Sequence, residues 1–244
     1  QLMTVDIAGR TGIVTGATRA IGAAICAALA EQRVNLAITG RDSEALSIQE
    51  KALLERGIRV LAIQADLMDP ESPGRIVSQT SKYFGSLDIL VNNAGVGRSG
   101  GYADLTVSDW EAHMTVNARA PFFLCQQAVP YLCDSDGPVI INIASVTATR
   151  GYPEQAAYSA SKHALLGWTK SLAKELHETG IRIHTISPGG VATDMIQAVR
   201  PDIDTSEMIN PWEIAELVIF LLTHSGNGMI DEIAMRRERK TPWL

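Results

Sequence analysis

Gly12-Ile13-Val14-Thr15-Gly16-Ala17-Thr18-Arg19-Ala20-Ile21-Gly22 runs from a short apolar, β-prone segment through a glycine-bearing turn into an Ala-, Ile- and Leu-rich stretch that reads as a helix. A strand passing directly into a helix through glycines is the first half of a βαβ unit. At the start of such a helix the unsatisfied backbone N–H groups and the positive dipole end favour a pyrophosphate, and missing side chains let its oxygens approach. The turn therefore predicts a parallel sheet and a nucleotide site together.

Working outward, similar apolar runs recur at Asn35 to Thr39, Val60 to Ile63, Leu87 to Val91, Val139 to Ile143 and Ile181 to Ile186. Helix-like stretches separate them. Runs apolar on nearly every residue suit central strands covered on both faces. Ser43 to Arg56 reads as a helix stopped by Gly57, Ser108-Asp109-Trp110-Glu111 as a capping box, and Asn210-Pro211-Trp212-Glu213 as a cap with Pro at the first helical position. No repeat or Pro/Ser-rich linker divides the pattern. The expectation is one α/β domain over 1–244, a single Rossmann-like doubly wound parallel sheet with helices on both faces. Thr193 to Asn210 breaks the rhythm and reads as a flap over a pocket.

The 244 residues are 46% hydrophobic and 20% charged, an ordinary globular composition that excludes disordered and disulfide-scaffold chains. A net charge of -6 leaves no basic field for a nucleic acid or an anionic membrane, so a phosphate site has to be local. Cys26, Cys125 and Cys133 lack metal-ligand spacing and suit a reducing compartment. With no apolar run of membrane-spanning length and no basic, apolar leader, the chain reads as cytoplasmic, with neither membrane nor metal partner.

The second strand ends Ile38-Thr39-Gly40-Arg41-Asp42, where an acidic side chain would read a ribose 2′-hydroxyl and a basic one a 2′-phosphate. Gly40 carries no carboxylate, and Arg41 with Arg19 can grip a phosphate from two sides. This favours NADP(H); the alternative is two solvated arginines with Asp42 pairing Arg41. Further on, Ser145 ends the fifth strand and Tyr158-Ser159-Ala160-Ser161-Lys162 lies in a helix-like run. Residues four apart share a helix face, so the Lys162 ammonium can favour the Tyr158 phenolate and the pair can exchange a proton with a carbonyl or alcohol oxygen.

With these motifs the chain resembles the short-chain dehydrogenase/reductase family of the compact type, similar in layout to its 3-oxoacyl carrier-protein reductases. The likeness runs over nearly the whole length: Thr15 to Gly22, Asp66, Asn92-Asn93-Ala94-Gly95, Asn117, Ser145, Tyr158, Lys162, and Pro188-Gly189 with Thr193. The resemblance implies that Tyr158 is the general acid in reduction, that Ser145 bonds the substrate oxygen, that Lys162 holds the nicotinamide ribose and tunes the phenol, and that Asn117 anchors a proton-relay water. It likewise implies a cofactor cradle of Gly16, Thr18, Arg19, Ala20, Ile21, Gly22, Arg41, Asp66, Leu67, Asn93, Ala94, Gly95, Tyr158, Lys162, Pro188, Gly189, Val191 and Thr193. The implied activity is NADPH-dependent reduction of a small-molecule carbonyl or acyl thioester. The alternative is a non-catalytic nucleotide-sensing protein that keeps the fold.

Ala20 stands where the family usually has glycine, tolerable if its φ is helical. The C-terminus departs too, with only a brief strand-like run before Arg236-Arg237-Glu238-Arg239-Lys240. Val96, Gly97, Tyr102, Thr147, Tyr152, Met195 and Ile196 are candidates to face substrate, and Arg98, Arg150 and Arg200 could form a collar for an acidic carrier. A homodimer or homotetramer is expected, built on the helix spanning Ser108 to Val129 and the one following Gln155. Phe122, Phe123, Leu124, Leu165, Leu166, Trp168 and Leu172 supply apolar surface beyond one face.

Overall fold

A computed structural model describes residues 4–98, 100–193 and 204–242. The strands are β1 (Thr11–Thr15), β2 (Asn35–Gly40), β3 (Val60–Gln64), β4 (Ile89–Asn92), β5 (Val139–Ile143), β6 (Arg182–Pro188) and β7 (Glu232–Met235). Between them lie α1 (Ala20–Glu31), α2 (Ser43–Leu54), α3 (Ser72–Phe84), α4 (Val107–Met114), α5 (Ala120–Leu132), α6 (Ala156–Glu175) and α7 (Pro211–Thr223). All seven strands form one parallel sheet in the order β3-β2-β1-β4-β5-β6-β7. The order reverses between β1 and β4, which opens a crevice at the carboxyl ends of the central strands.

Side chains alternate across this sheet and split the core in two. Val14, Ile38, Val91, Ile141 and Ile186 pack with Ile25 and Leu29 of α1 and with Ile214 and Val218 of α7. Ile13, Ala37, Leu90, Ile140 and Ile183 pack with Ile76 of α3 and with Leu124 and Ala128 of α5. Both faces being covered, every residue of β1 and β5 is buried. The strand runs become apolar throughout for that reason. No helix among the described residues is long and apolar enough to cross a membrane, and no cluster of potential metal ligands occurs among them.

Several local expectations need correction. The capping box belongs to Thr106, not Ser108: Thr106 Oγ1 accepts from the Asp109 N–H, and the Asp109 carboxylate accepts from the Thr106 N–H. Asp109 is the acid three residues into the helix, so the cap falls two residues earlier. The expected helix from Ser108 to Val129 is broken into α4 and α5 by a π-turn at Thr115–Arg119. Asn210 and Glu213 do form a reciprocal capping box at the start of α7. Asp42 does not pair with Arg41; its carboxylate caps α2 by accepting from the N–H groups of Glu44 and Ala45. Within the expected flap, Ile209 is buried and bridges Val191, whereas Met195, Ile196 and Arg200 lie outside the described residues.

Candidate active site

The glycine turn between β1 and α1 is held by the end of β4. Thr15 Oγ1 accepts from the N–H groups of Asn93 and Ala94, both at 3.0 Å. Asn93 Nδ2 donates to the carbonyls of Thr15 and Gly16 at 2.9 and 3.1 Å. A Cβ on Gly22 would come within 2.0 Å of the Gly16 carbonyl oxygen, so only glycine lets α1 approach this turn. Gly16 itself has φ +63. Ala20 has φ +41, so the helical φ that would make its methyl harmless is not adopted. A left-handed alanine is strained by about 1 kcal/mol or more.

Thr18 and Ile21 are half-buried in the turn, and Arg19 is exposed at the N-cap position of α1, where no side chain caps the free N–H groups. Arg41 is exposed at the end of β2, its guanidinium without a partner among the described residues. A strand-to-helix turn cleared by glycine, an uncapped helix start and two unengaged guanidiniums fit a dinucleotide carrying a 2′-phosphate. Asp66 is exposed beyond β3 and accepts from the Met68 N–H; the adjacent Leu67 is buried. At the other end of the crevice Pro188 and Val191 are buried, the Gly189 N–H donates to the Met235 carbonyl at 2.7 Å, and Thr193 follows.

Ser145 lies just past β5, with Oγ accepting from the Thr147 N–H at 3.2 Å. The Tyr158 phenol on α6 faces Ser145, which favours its ionised form, but burial outweighs this and raises the phenol above its ordinary value of 10.0. Lys162, one turn on, is buried; its Nζ donates to the Ile143 carbonyl at 2.9 Å and stands 5.8 Å from the Tyr158 ring centroid. Burial lowers this ammonium from 10.5 to about 8.

Asn117 sits inside the π-turn, a feature that recurs at functional sites. Its Oδ1 accepts from the Val96 N–H at 2.8 Å, and its Nδ2 donates to the Val96 carbonyl at 2.9 Å and to Ser161 Oγ at 3.0 Å. Both amide hydrogens are used, so the side chain braces the loop after Gly95 against α6. The end of β5 and one face of α6 thus bring Ser145, Tyr158 and Lys162 to one place, with Asn117 bound to the same helix.

Other sequence candidates separate. Thr147 is buried, Tyr152 is half exposed at 43%, and Tyr102 points outward at 86% exposure. Arg98 is bonded to Asp109, while Arg150 is exposed. His113 was not expected. It is buried, its ring lies edge-on to Tyr158 with centroids 6.2 Å apart, Nε2 accepts from the Arg98 N–H at 3.1 Å, and Nδ1 donates to the Asp109 carbonyl at 2.6 Å. Its place four residues before Asn117 was the available signal.

The family model for short chain dehydrogenases matches residues 10–204. The chain is 30% identical over 240 residues to a 3-oxoacyl-[acyl-carrier-protein] reductase of Aquifex aeolicus, covering 95% of this chain and 97% of that one. It is 33% identical to an uncharacterized oxidoreductase of Staphylococcus saprophyticus, covering 95% and 99%. Among solved structures, a short chain dehydrogenase from Burkholderia cenocepacia in complex with NADP superposes with a TM-score of 0.87 at 34% identity, covering 95% and 98%.

Proposed function

The chain belongs to the short-chain dehydrogenase/reductase family of oxidoreductases, and on that premise we propose that it reduces a carbonyl to an alcohol with NADPH. The observation that carries this reading is the Tyr158 phenol facing Ser145, one helical turn from the buried Lys162 whose Nζ donates to the Ile143 carbonyl at 2.9 Å, at the carboxyl edge of the sheet.

Arg19 and Arg41 would hold the 2′-phosphate, the turn from Gly16 to Gly22 the pyrophosphate, Asp66 and Leu67 the adenine side, and Asn93, Ala94, Gly95, Pro188, Gly189, Val191 and Thr193 the remainder. When bound, the nicotinamide supplies the hydride. Ser145 orients the substrate oxygen by a hydrogen bond. Tyr158, whose raised pKa keeps it protonated near neutrality, gives that oxygen its proton. Lys162 stabilises the phenolate left behind and, with Asn117, links it to a proton supply.

The likeness to the Aquifex aeolicus reductase supports a 3-oxoacyl thioester as one substrate class, and mid-sized ketones or aldehydes are the other. Tyr152, Met195 and Ile196 are the proposed substrate contacts. We place the enzyme in the cytoplasm as a homodimer or homotetramer. Following NADPH oxidation against ketones, aldehydes and oxoacyl thioesters tests the reading. Turnover of at least one class is expected; tight NADPH binding with no turnover across the panel would point instead to nucleotide sensing.

A further inference from the structure

The sheet edge opposite the active site carries a cleft of about 390 Å³. Arg10 precedes β1, Asp136 lies before β5, Arg182 and His184 are the first and third residues of β6, and His224 follows α7; all line it.

Two cations meet here without a matching carboxylate. Arg10 donates to the Gly137 carbonyl at 2.7 Å, and Arg182 donates to the carbonyls of Leu221, Leu222 and His224 at the end of α7. Neither guanidinium makes an ion pair among the described residues. Each repels the other, and Arg10 adds to the effect of burial in holding Arg182 below its usual value. Asp136 is exposed at the rim, and Asp231 acts on His184 from the β7 side. Within a chain of net charge -6, this is a local positive pocket.

His184 supplies an independent observation. It is 2% exposed, and its Nδ1 donates to the Ile230 carbonyl at 2.6 Å. Nε2 is therefore left as a lone pair, and it is buried with no partner. Buried polar atoms are almost always bonded, so an unpaired one in the wall of a cationic cleft marks the place of a missing donor. A carboxylate or sulfate satisfies the arginines but has no hydrogen to give. A phosphate group has both, since it keeps its second proton to about pH 6 and beyond.

We propose that this cleft binds a phosphate group, inorganic or a monoester, with the guanidiniums of Arg10 and Arg182 taking its charge and His184 Nε2 sharing its proton. The site is independent of the carbonyl reductase reading.

Titration calorimetry of the full chain at pH 6.5 with inorganic phosphate, glycerol 3-phosphate and sulfate tests it. The phosphates should bind about tenfold more tightly than sulfate. His184→Phe, which keeps the bulk and removes the lone pair, should lower phosphate affinity about tenfold, as should Arg10→Gln, which touches only one carbonyl in the fold. Saturating NADP, which would occupy the phosphate-holding arginines at the other edge of the sheet, should leave it unchanged. The tighter of inorganic phosphate and glycerol 3-phosphate identifies the source. Equal binding of sulfate, indifference to both cleft variants, or loss of phosphate binding under saturating NADP would overturn the proposal. If His184→Phe fails to fold, the Arg10→Gln titration decides alone.

Discussion

Lys162 Nζ donates to the carbonyl of Ile143, the last residue of β5, at 2.9 Å. Ser145 follows Ile143 by two residues and Tyr158 precedes Lys162 by one helical turn. This single bond between α6 and the strand end therefore sets the spacing of hydroxyl and phenol.

Burial gives Lys162 a pH signature, having brought its ammonium to about 8. The reduction rate constant should stay level through neutrality and fall above about pH 8 as Lys162 loses its proton; Lys162→Met should show a low rate with no such break. Stability moves the other way. Between about pH 8 and 10.5 the unfolded lysine still holds a proton that the folded one has released, so stability contributed by this group rises with pH. The gain is at most about 3.5 kcal/mol at 1.4 kcal/mol per unit. Urea midpoints of the parent and Lys162→Met at pH 7 and pH 10 should diverge in that direction.

Tyr158→Phe removes the hydroxyl facing Ser145 and leaves the ring edge-on to His113. Turnover should drop by about 10²-fold or more, the usual contribution of a general acid, with NADPH affinity changed only a few-fold. A variant keeping more than about a tenth of the rate would assign the proton to another group.

His113 and Thr15 show where sequence reading stops. The strands were legible because both sheet faces are covered, and the proposed trio of Ser145, Tyr158 and Lys162 because it follows a strand end and a helix face. Thr15 is 78 residues from Asn93, and their bond is created only when β1 and β4 pair. The π-turn around Asn117 likewise depends on Val96 and Ser161, distant in sequence, drawing the side chain in. Nothing in a local apolar pattern records such partners. The sign of φ at Ala20 is equally invisible, since alanine most often means helix.

Arg41 and Arg19 should decide the preference for NADPH over NADH. Removing one charge-assisted contact costs about 1.5–3 kcal/mol, so Arg41→Ala should reduce the ratio of kcat/KM for NADPH to that for NADH by about tenfold or more. Introducing an acid at Gly40 is a poorer test, because its Cβ would lie 3.2 Å from Thr18 Cγ2 and disturb the turn as well. Equal kcat/KM for both cofactors in the parent would remove the arginines from the argument.

The assembly prediction narrows to fewer residues. Leu124, Leu165 and Leu166 are buried in the protomer and cannot supply a second surface. Phe122 and Phe123 of α5 are each 40% exposed, and Phe122 stacks edge-on with Trp168 of α6. An apolar patch on two adjacent helices should be covered by a second copy. Light scattering at micromolar concentration should give at least a dimer, with Phe123→Glu shifting the mass toward a monomer and the charged segment Arg236 to Lys240 lying outside the contact.

Ala20 and Gly22 should respond oppositely to exchange of a single methyl. At Gly22 a Cβ would sit 2.0 Å from the Gly16 oxygen, a backbone atom fixed by Asn93, so the helix must move. Gly22→Ala should destabilise the fold by several kcal/mol, beyond the 1–3 kcal/mol typical of an overpacked core, and lower the urea midpoint sharply. At Ala20 the methyl is what strains the backbone at φ +41. Glycine relieves about 1–2 kcal/mol there but adds freedom to the unfolded chain worth about 0.4–1 kcal/mol. Ala20→Gly should therefore leave stability unchanged or raise it by up to about 1.5 kcal/mol, with the urea midpoint following, while tightening NADPH as the methyl leaves the pyrophosphate turn. A clear loss of stability on Ala20→Gly would mean that the methyl is packed usefully and that the positive φ carries no strain.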